Sequence, residues 1–167
     1  MFLNPDRYFA HKKDWFILSV FAGLFLLLKI IAIGLVVLAS KLTDISDIMP
    51  LIDTDGQWDE GKLFYALVFA PLFETLVFQF LIIKGLFYIQ PLKKYPAVAI
   101  LISAIVFSLV HNNPFTVIFA GVVLAYNFYF FNKHRSASFA YWSTVLLHCF
   151  YNLVTYLIAH KYIDVWL

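Results

Sequence analysis

A single cysteine, Cys149, in 167 residues excludes an internal disulfide and a thiolate metal cluster, so neither a disulfide scaffold nor a zinc finger fits this chain. Charge is scarce as well. Only 13% of residues are charged, against roughly a quarter in a soluble domain, and twelve Lys and Arg against ten Asp and Glu leave a net charge of +2. So small and dispersed an excess offers nucleic acid no electrostatic footprint. Gly and Pro number six each, too few for a low-complexity linker, and no internal repeat is visible. What is abundant is apolar. With 63% hydrophobic and 20% aromatic residues and a mean hydropathy of +0.84, the composition places the chain in a membrane.

Residues 15–39 carry one charge, Lys29, in 25 residues. At about 1.5 Å per residue they are long enough to cross a hydrocarbon layer of about 30 Å, and they exceed the roughly 7–15 apolar residues of a cleaved signal. Residues 40–62, with Asp44, Asp47, Asp53, Asp55, Asp59 and Glu60, read as an acidic extramembrane loop. Apolar sequence returns over residues 63–89, interrupted by Glu74 and Lys84. Residues 97–131 then form an apolar run whose main break is His111-Asn112-Asn113-Pro114. One helix of that length would run about 52 Å, so the proline predicts a break between two short helices, with His111 inside the membrane profile and Asn112 and Asn113 as turn residues. A basic loop, Lys133-His134-Arg135, precedes a last span over residues 139–159.

The expected fold is therefore an all-α, multi-pass transmembrane helix bundle of about five spans, with a broken hairpin near residues 111–114. Eight of the twelve cations fall on one side of that arrangement, namely Arg7, Lys12, Lys13, Lys84, Lys93, Lys94, Lys133 and Arg135. The positive-inside rule puts that side, and residues 1–14 with it, in the cytoplasm.

Titratable groups inside a membrane cost free energy unless they face protein or water, and here they are few: Lys29, Glu74, Lys84, His111 and His148. Lys84 sits near a helix end and can snorkel, whereas no partner for Lys29 is named by the sequence. Asn152 follows His148 by four residues, so both share a helical face, with Thr144 and Thr155 roughly in line. Taken singly, such residues hold helices together. Taken together, one carboxylate, two imidazoles and an amide on three helices resemble either a general base with hydrogen-bond donors or the Glu74, His111 and His148 ligand set of a hydrolytic zinc site.

Three spaced patterns occur in the order of one family. Pro71-x-x-Glu74-Thr75-x-x-x-Gln79 is similar to a Pro-x-x-Glu-Glu-x-x-x-Arg motif; Ser103-x-x-x-Phe107-x-x-x-His111 and His148-x-x-x-Asn152 match a second and third motif in full. The chain thus resembles the CAAX protease and bacteriocin-processing (CPBP) enzymes, also called the type II CAAX endopeptidase or Abi family. The resemblance covers residues 71–152 and implies a protease core over residues 63–167, leaving the first span outside. It implies an intramembrane endopeptidase acting on a prenylated or membrane-associated peptide or protein tail. Glu74 would activate water, His111 would bind that water or pass a proton, and His148 and Asn152 would donate to the oxyanion, with Phe107, Thr75 and Gln79 in support.

Two positions depart from the family. Thr75 stands for its second glutamate and Gln79 for its arginine, and their i,i+4 spacing predicts a neutral hydrogen bond in place of an ion pair. A divalent metal such as zinc stays open as a cofactor, with Glu74, His111 and His148 as its ligands, but tight binding is not expected, since His-Glu-x-x-His is lacking and one candidate ligand has become Thr75. The competing reading is a catalytically inactive member that binds a peptide or confers bacteriocin immunity. A proton-coupled carrier ranks below both, because no inverted repeat is visible.

Overall fold

The computed structural model describes residues 12–43, 60–111 and 114–166, which fold into six helices with no strand among them. The expected cytoplasmic segment before residue 12, the loop over residues 44–59 and the turn residues Asn112 and Asn113 lie outside the described residues. Helix α1 is Asp14–Thr43 and α2 is Glu60–Tyr88; a short α3, Gln90–Lys94, leads into α4, Pro96–Leu109, followed by α5, Pro114–His134, and α6, Ala137–Trp166. The all-α bundle and the break before Pro114 are as expected: α4 ends at Leu109, and Pro114, with its fixed φ and no N–H to satisfy, opens α5.

Several boundaries differ from the sequence reading. Helix α2 begins at Glu60, inside the expected loop, where a carboxylate in the first turn suits the helix dipole. The basic loop is largely helix, because Lys133 and His134 close α5, where cations complement its C-terminal end. Only Arg135 and Ser136 remain between the helices, and Ser136 caps α6 through Phe139 N–H to its Oγ at 3.1 Å. Helix α6 is 30 residues long and continues to Trp166, past the expected end at residue 159.

The outside of the bundle is apolar. Leu27, Ile30, Leu35 and Leu38 of α1 and Phe69, Phe73 and Leu81 of α2 are all exposed, a surface that lipid tails solvate and water does not. Among the described residues, α1 and α2 are long and apolar enough to cross a bilayer, and α4 is a shorter apolar helix. The chain is a membrane protein.

Inside, Phe107 of α4 and Leu124, Phe128, Phe130 and Phe131 of α5 are fully buried in one core cluster. Helices α4 and α5 approach closely at Gly121, where a Cβ would lie 3.1 Å from both Cα and O of Ala104. Helix α1 docks on α5 and α6: Phe21 meets Tyr126 and Phe130 edge-on, Phe25 tilts over Tyr151, and Arg135 Nε donates to Asp14 Oδ1 at 2.8 Å. Lys29, which lacked a partner in sequence, donates from Nζ to Thr155 Oγ1 at 3.0 Å and Tyr151 Oη at 3.3 Å. The first span is therefore packed into the bundle and is not a detached anchor.

Candidate active site

The helix that carries Glu74 is wound unevenly. Two stretches of α2, Tyr65–Phe69 and Thr75–Leu81, take the wider i→i+5 winding of a π-helix, and Glu74 closes the α-helical turn between them. Pro71 lies just past the first. The N–H of Ala70 reaches Tyr65 O, so the carbonyl of Ala66 would next require an N–H from residue 71, and proline has none. Asn152 fills that gap from α6, its Nδ2 donating to Ala66 O at 2.7 Å.

Two further carbonyls of α2 are tied to neighbouring helices. Tyr141 Oη donates to Leu72 O at 3.1 Å and Ser103 Oγ donates to Phe78 O at 2.7 Å. These contacts fix α2 against α4 and α6 on either side of Glu74. Their order also makes α2 antiparallel to α6, since residue 66 meets residue 152 and residue 72 meets residue 141.

At that point three helices converge. Oε2 of Glu74 lies 3.6 Å from Nε2 of His111, at the end of α4, and 3.6 Å from Nε2 of His148, in the middle of α6. At 3.6 Å the groups are just beyond direct hydrogen-bond distance. Phe107 forms one wall, with its ring 4.6 Å from that of His111 and 5.6 Å, edge to face, from that of His148. Phe78 packs edge-on against the same ring. Glu74 and His111 are 25% and 29% exposed, against 2% for His148, so the site is open on one side and closed at its base.

The two imidazoles are not equivalent. His111 Nδ1 lies 2.7 Å from the carbonyl of Phe107, which can only accept, so Nδ1 carries a proton and a neutral His111 turns a bare Nε2 toward Glu74. His148 Nδ1 is buried with no partner, so a neutral His148 best carries its proton on Nε2, where the carboxylate can accept it. One oxygen of Glu74 thus faces an acceptor nitrogen and a donor nitrogen. The fourth expected residue, Asn152, is one turn beyond His148 and holds Ala66, a contact that the four-residue spacing could not reveal.

The expected hydrogen bond between Thr75 and Gln79 is not formed. Both side chains are fully buried, and Thr75 Oγ1, Gln79 Nε2 and Gln79 Oε1 lack any hydrogen-bond partner. The i,i+4 expectation assumed regular α-helix, whereas both residues belong to the π-wound stretch. Asn127 was not singled out by sequence. It is fully buried on α5 and donates to Thr144 Oγ1 at 2.8 Å and Ser143 Oγ at 3.3 Å. An asparagine inside the aromatic run from Tyr126 to Phe131 was the available signal.

Among the described residues, no group of three His, Cys, Asp or Glu side chains is disposed to hold a metal ion. The partnerless His148 Nδ1 also does not fit a metal-bound imidazole, whose distal N–H ordinarily donates to a carboxylate, carbonyl or water.

A family model described as type II CAAX prenyl endopeptidase Rce1-like matches residues 57–154, more than half of the chain. The matched region runs from the start of α2 through most of α6 and includes Glu74, His111, His148 and Asn152, but not α1. No curated protein and no solved structure matches the chain.

Proposed function

The chain belongs to the type II CAAX prenyl endopeptidase Rce1-like family, and on that premise we propose that it hydrolyses a peptide bond within the membrane with water activated by Glu74. The observation that carries this reading is the convergence of both imidazole Nε2 atoms on one oxygen of Glu74 at 3.6 Å.

In this mechanism, the attacking water donates one hydrogen to Glu74 and the other to the bare Nε2 of His111, which turns an oxygen lone pair toward the scissile carbonyl. As the C–O bond forms, Glu74 takes the first proton and loses its charge while negative charge grows on the carbonyl oxygen. The Nε2–H of His148 then follows the charge from carboxylate to oxyanion, helped by the second amide hydrogen of Asn152. Collapse breaks the C–N bond, and the proton held by Glu74 passes to the departing nitrogen. Water is consumed, and a new carboxyl and a new amino terminus are produced. No step runs through a metal.

The substrate class is a prenylated or membrane-associated peptide or protein tail, presented from lipid to the open side of the site. On the same reading the amino terminus faces the cytoplasm, which is supported by Lys12, Lys13, Lys133 and Arg135 at the end of the bundle where α1 and α6 begin. A second reading, an inactive member that binds a peptide or confers immunity, is favoured by Thr75 and Gln79, neutral and unpaired where the family motif carries charge.

Mass spectrometry of membrane fractions separates the two. Peptide termini present with the wild type and missing with Glu74→Gln at matched expression are expected for the protease and identify its substrate. Coincident profiles, with the biological phenotype retained by the variant, would replace it with the binding or immunity reading.

A further inference from the structure

Two lysines at the end of the bundle where α6 begins stand over aromatic rings one turn back along their own helices. Lys84, half-buried on α2, holds its ammonium 5.7 Å from the ring centroid of Phe80, and Lys133, exposed in the last turn of α5, holds its own 5.5 Å from that of Tyr129. The same rings join the two helices: Phe80 meets Phe128 of α5 edge-on at 5.7 Å, and Phe87 meets Tyr129 edge-on at 5.9 Å. Lys84 follows Phe80 by four residues and precedes Phe87 by three, so the three share a face of α2. Both ammoniums therefore border one aromatic seam between α2 and α5. Among the described residues, Lys84 has no hydrogen-bond acceptor and no ion pair, and its three N–H groups meet only the π face of Phe80. Asp14, the described carboxylate at this end, is taken by Arg135 at 2.7 Å.

An anion with several acceptor oxygens suits two such ammoniums, and its depth and surroundings point to a lipid. Lys84 lies four residues, about 6 Å, inside the end of α2 at Tyr88, a depth that matches a headgroup layer of about 5–8 Å on each side of the hydrocarbon. Phe80 also meets Tyr141 of α6, whose ring centroid is 5.1 Å from that of Trp142. Trp142 and Leu81, the sequence neighbours of Tyr141 and Phe80, are each 54% exposed, so apolar surface adjoins the ring on which Lys84 sits. Basic positions between membrane helices at the headgroup level are sites for anionic lipids. We propose that the seam between α2 and α5 binds the phosphate of an anionic phospholipid, with Lys84 and Lys133 on its oxygens and the acyl chains lying along Leu81 and Trp142. A soluble phosphate ester would gain the two cations but not the apolar surface. Lys84 is ten residues from Glu74, about 15 Å along α2, so lipid binding there does not require that Glu74 be catalytic.

The test uses the full-length protein in detergent, titrated with phosphatidylglycerol, phosphatidylcholine or glycerol 3-phosphate, with binding read by native mass spectrometry. The ratio of apparent Kd values for the two lipids is taken on one preparation, so it does not depend on the folded fraction. The wild type is expected to bind phosphatidylglycerol at least about tenfold more tightly than phosphatidylcholine, and glycerol 3-phosphate more weakly than either. Lys84→Gln and Lys133→Gln should each cut the preference about fivefold, the effect of one cation near a membrane surface, and Lys84→Arg should retain it. Lys93→Gln removes the same charge from the exposed face of α3 and should change the ratio by less than about twofold, because a distant exposed charge is screened. No preference in the wild type, or a loss in Lys93→Gln equal to that in Lys84→Gln, would overturn the site and leave only diffuse attraction between a basic protein end and an anionic membrane. Glycerol 3-phosphate bound as tightly as phosphatidylglycerol would overturn the lipid and put a soluble phosphate ester in its place.

Discussion

His148 turns Nε2 toward Oε2 of Glu74 at 3.6 Å while its other ring nitrogen is buried without a partner, so the carboxylate is the one described group that fixes its tautomer. His111 reaches the same oxygen with its tautomer fixed from behind by the carbonyl of Phe107. This asymmetry, one nitrogen able to accept and one able to donate at the same carboxylate oxygen, gives the first prediction.

Glu74→Gln should lower kcat/KM for the identified substrate by at least about 100-fold, because the base is lost while the shape is kept. His111→Asn should do the same with little change in thermal stability. Its amide can take the place of Nδ1 against Phe107 O but has nothing at the position of Nε2. Activity retained by His111→Asn would show that His111 acts only through its backbone-facing nitrogen.

Asn152 is predicted to matter first for folding. Its Nδ2 satisfies the carbonyl that the π winding and Pro71 leave open at Ala66, so Asn152→Ala should cost about 1–3 kcal/mol in denaturant titrations in detergent. Asn152→Asp should be at least as damaging, since a carboxylate facing that carbonyl sets acceptor against acceptor. Unchanged stability in both variants would shift Asn152 to a purely chemical role.

The third prediction concerns the approach of α4 and α5. A Cβ on Gly121 would meet Ala104 Cα and O and Phe107 Cδ1, all at 3.1 Å, and a backbone cannot move aside without moving its helix. Gly121→Ala should therefore cost about 1–3 kcal/mol and also reduce activity, since the Phe107 ring supports both imidazoles. Gly85 has nothing within 4 Å of a built Cβ, so Gly85→Ala should be neutral or slightly stabilising. Equal effects at the two glycines would contradict the close packing at Gly121.

Much of this arrangement was legible in the sequence, for definite reasons. Membrane spans hold few titratable groups, so Glu74, His111 and His148 stood out against an apolar background, and Pro114 could not lie inside a continuous helix without breaking it. The docking of Lys29 on Tyr151 and Thr155 was not legible, because the rotation of one helix against another leaves no local pattern. The π winding of α2 was half legible. Pro71 announced that a carbonyl would lose its N–H, but not that the chain would widen its turn or that Asn152 would make up the loss. The expected contact of Thr75 with Gln79 failed for that reason, since the spacing rule holds only while the helix keeps its regular turn.

Those two residues give the last prediction. Thr75 and Gln79 are fully buried, and three of their polar atoms have no partner, a state that costs about 1–3 kcal/mol for each unsatisfied group. If the pair merely occupies the space of a lost Glu–Arg ion pair, apolar substitutes of similar shape should remove that cost, so Thr75→Val and Gln79→Met should each raise the unfolding free energy with cleavage unchanged. If instead their amide and hydroxyl serve the reaction, the same substitutions will leave stability level or higher while activity falls. Replacing both tests whether they act together: gains that add describe two independent orphans, whereas a double variant departing from the sum by more than about 0.5 kcal/mol reveals coupling between them. Activity surviving in the double variant would remove the structural argument for the inactive reading, because catalysis would then be independent of the two positions at which this chain departs from its family.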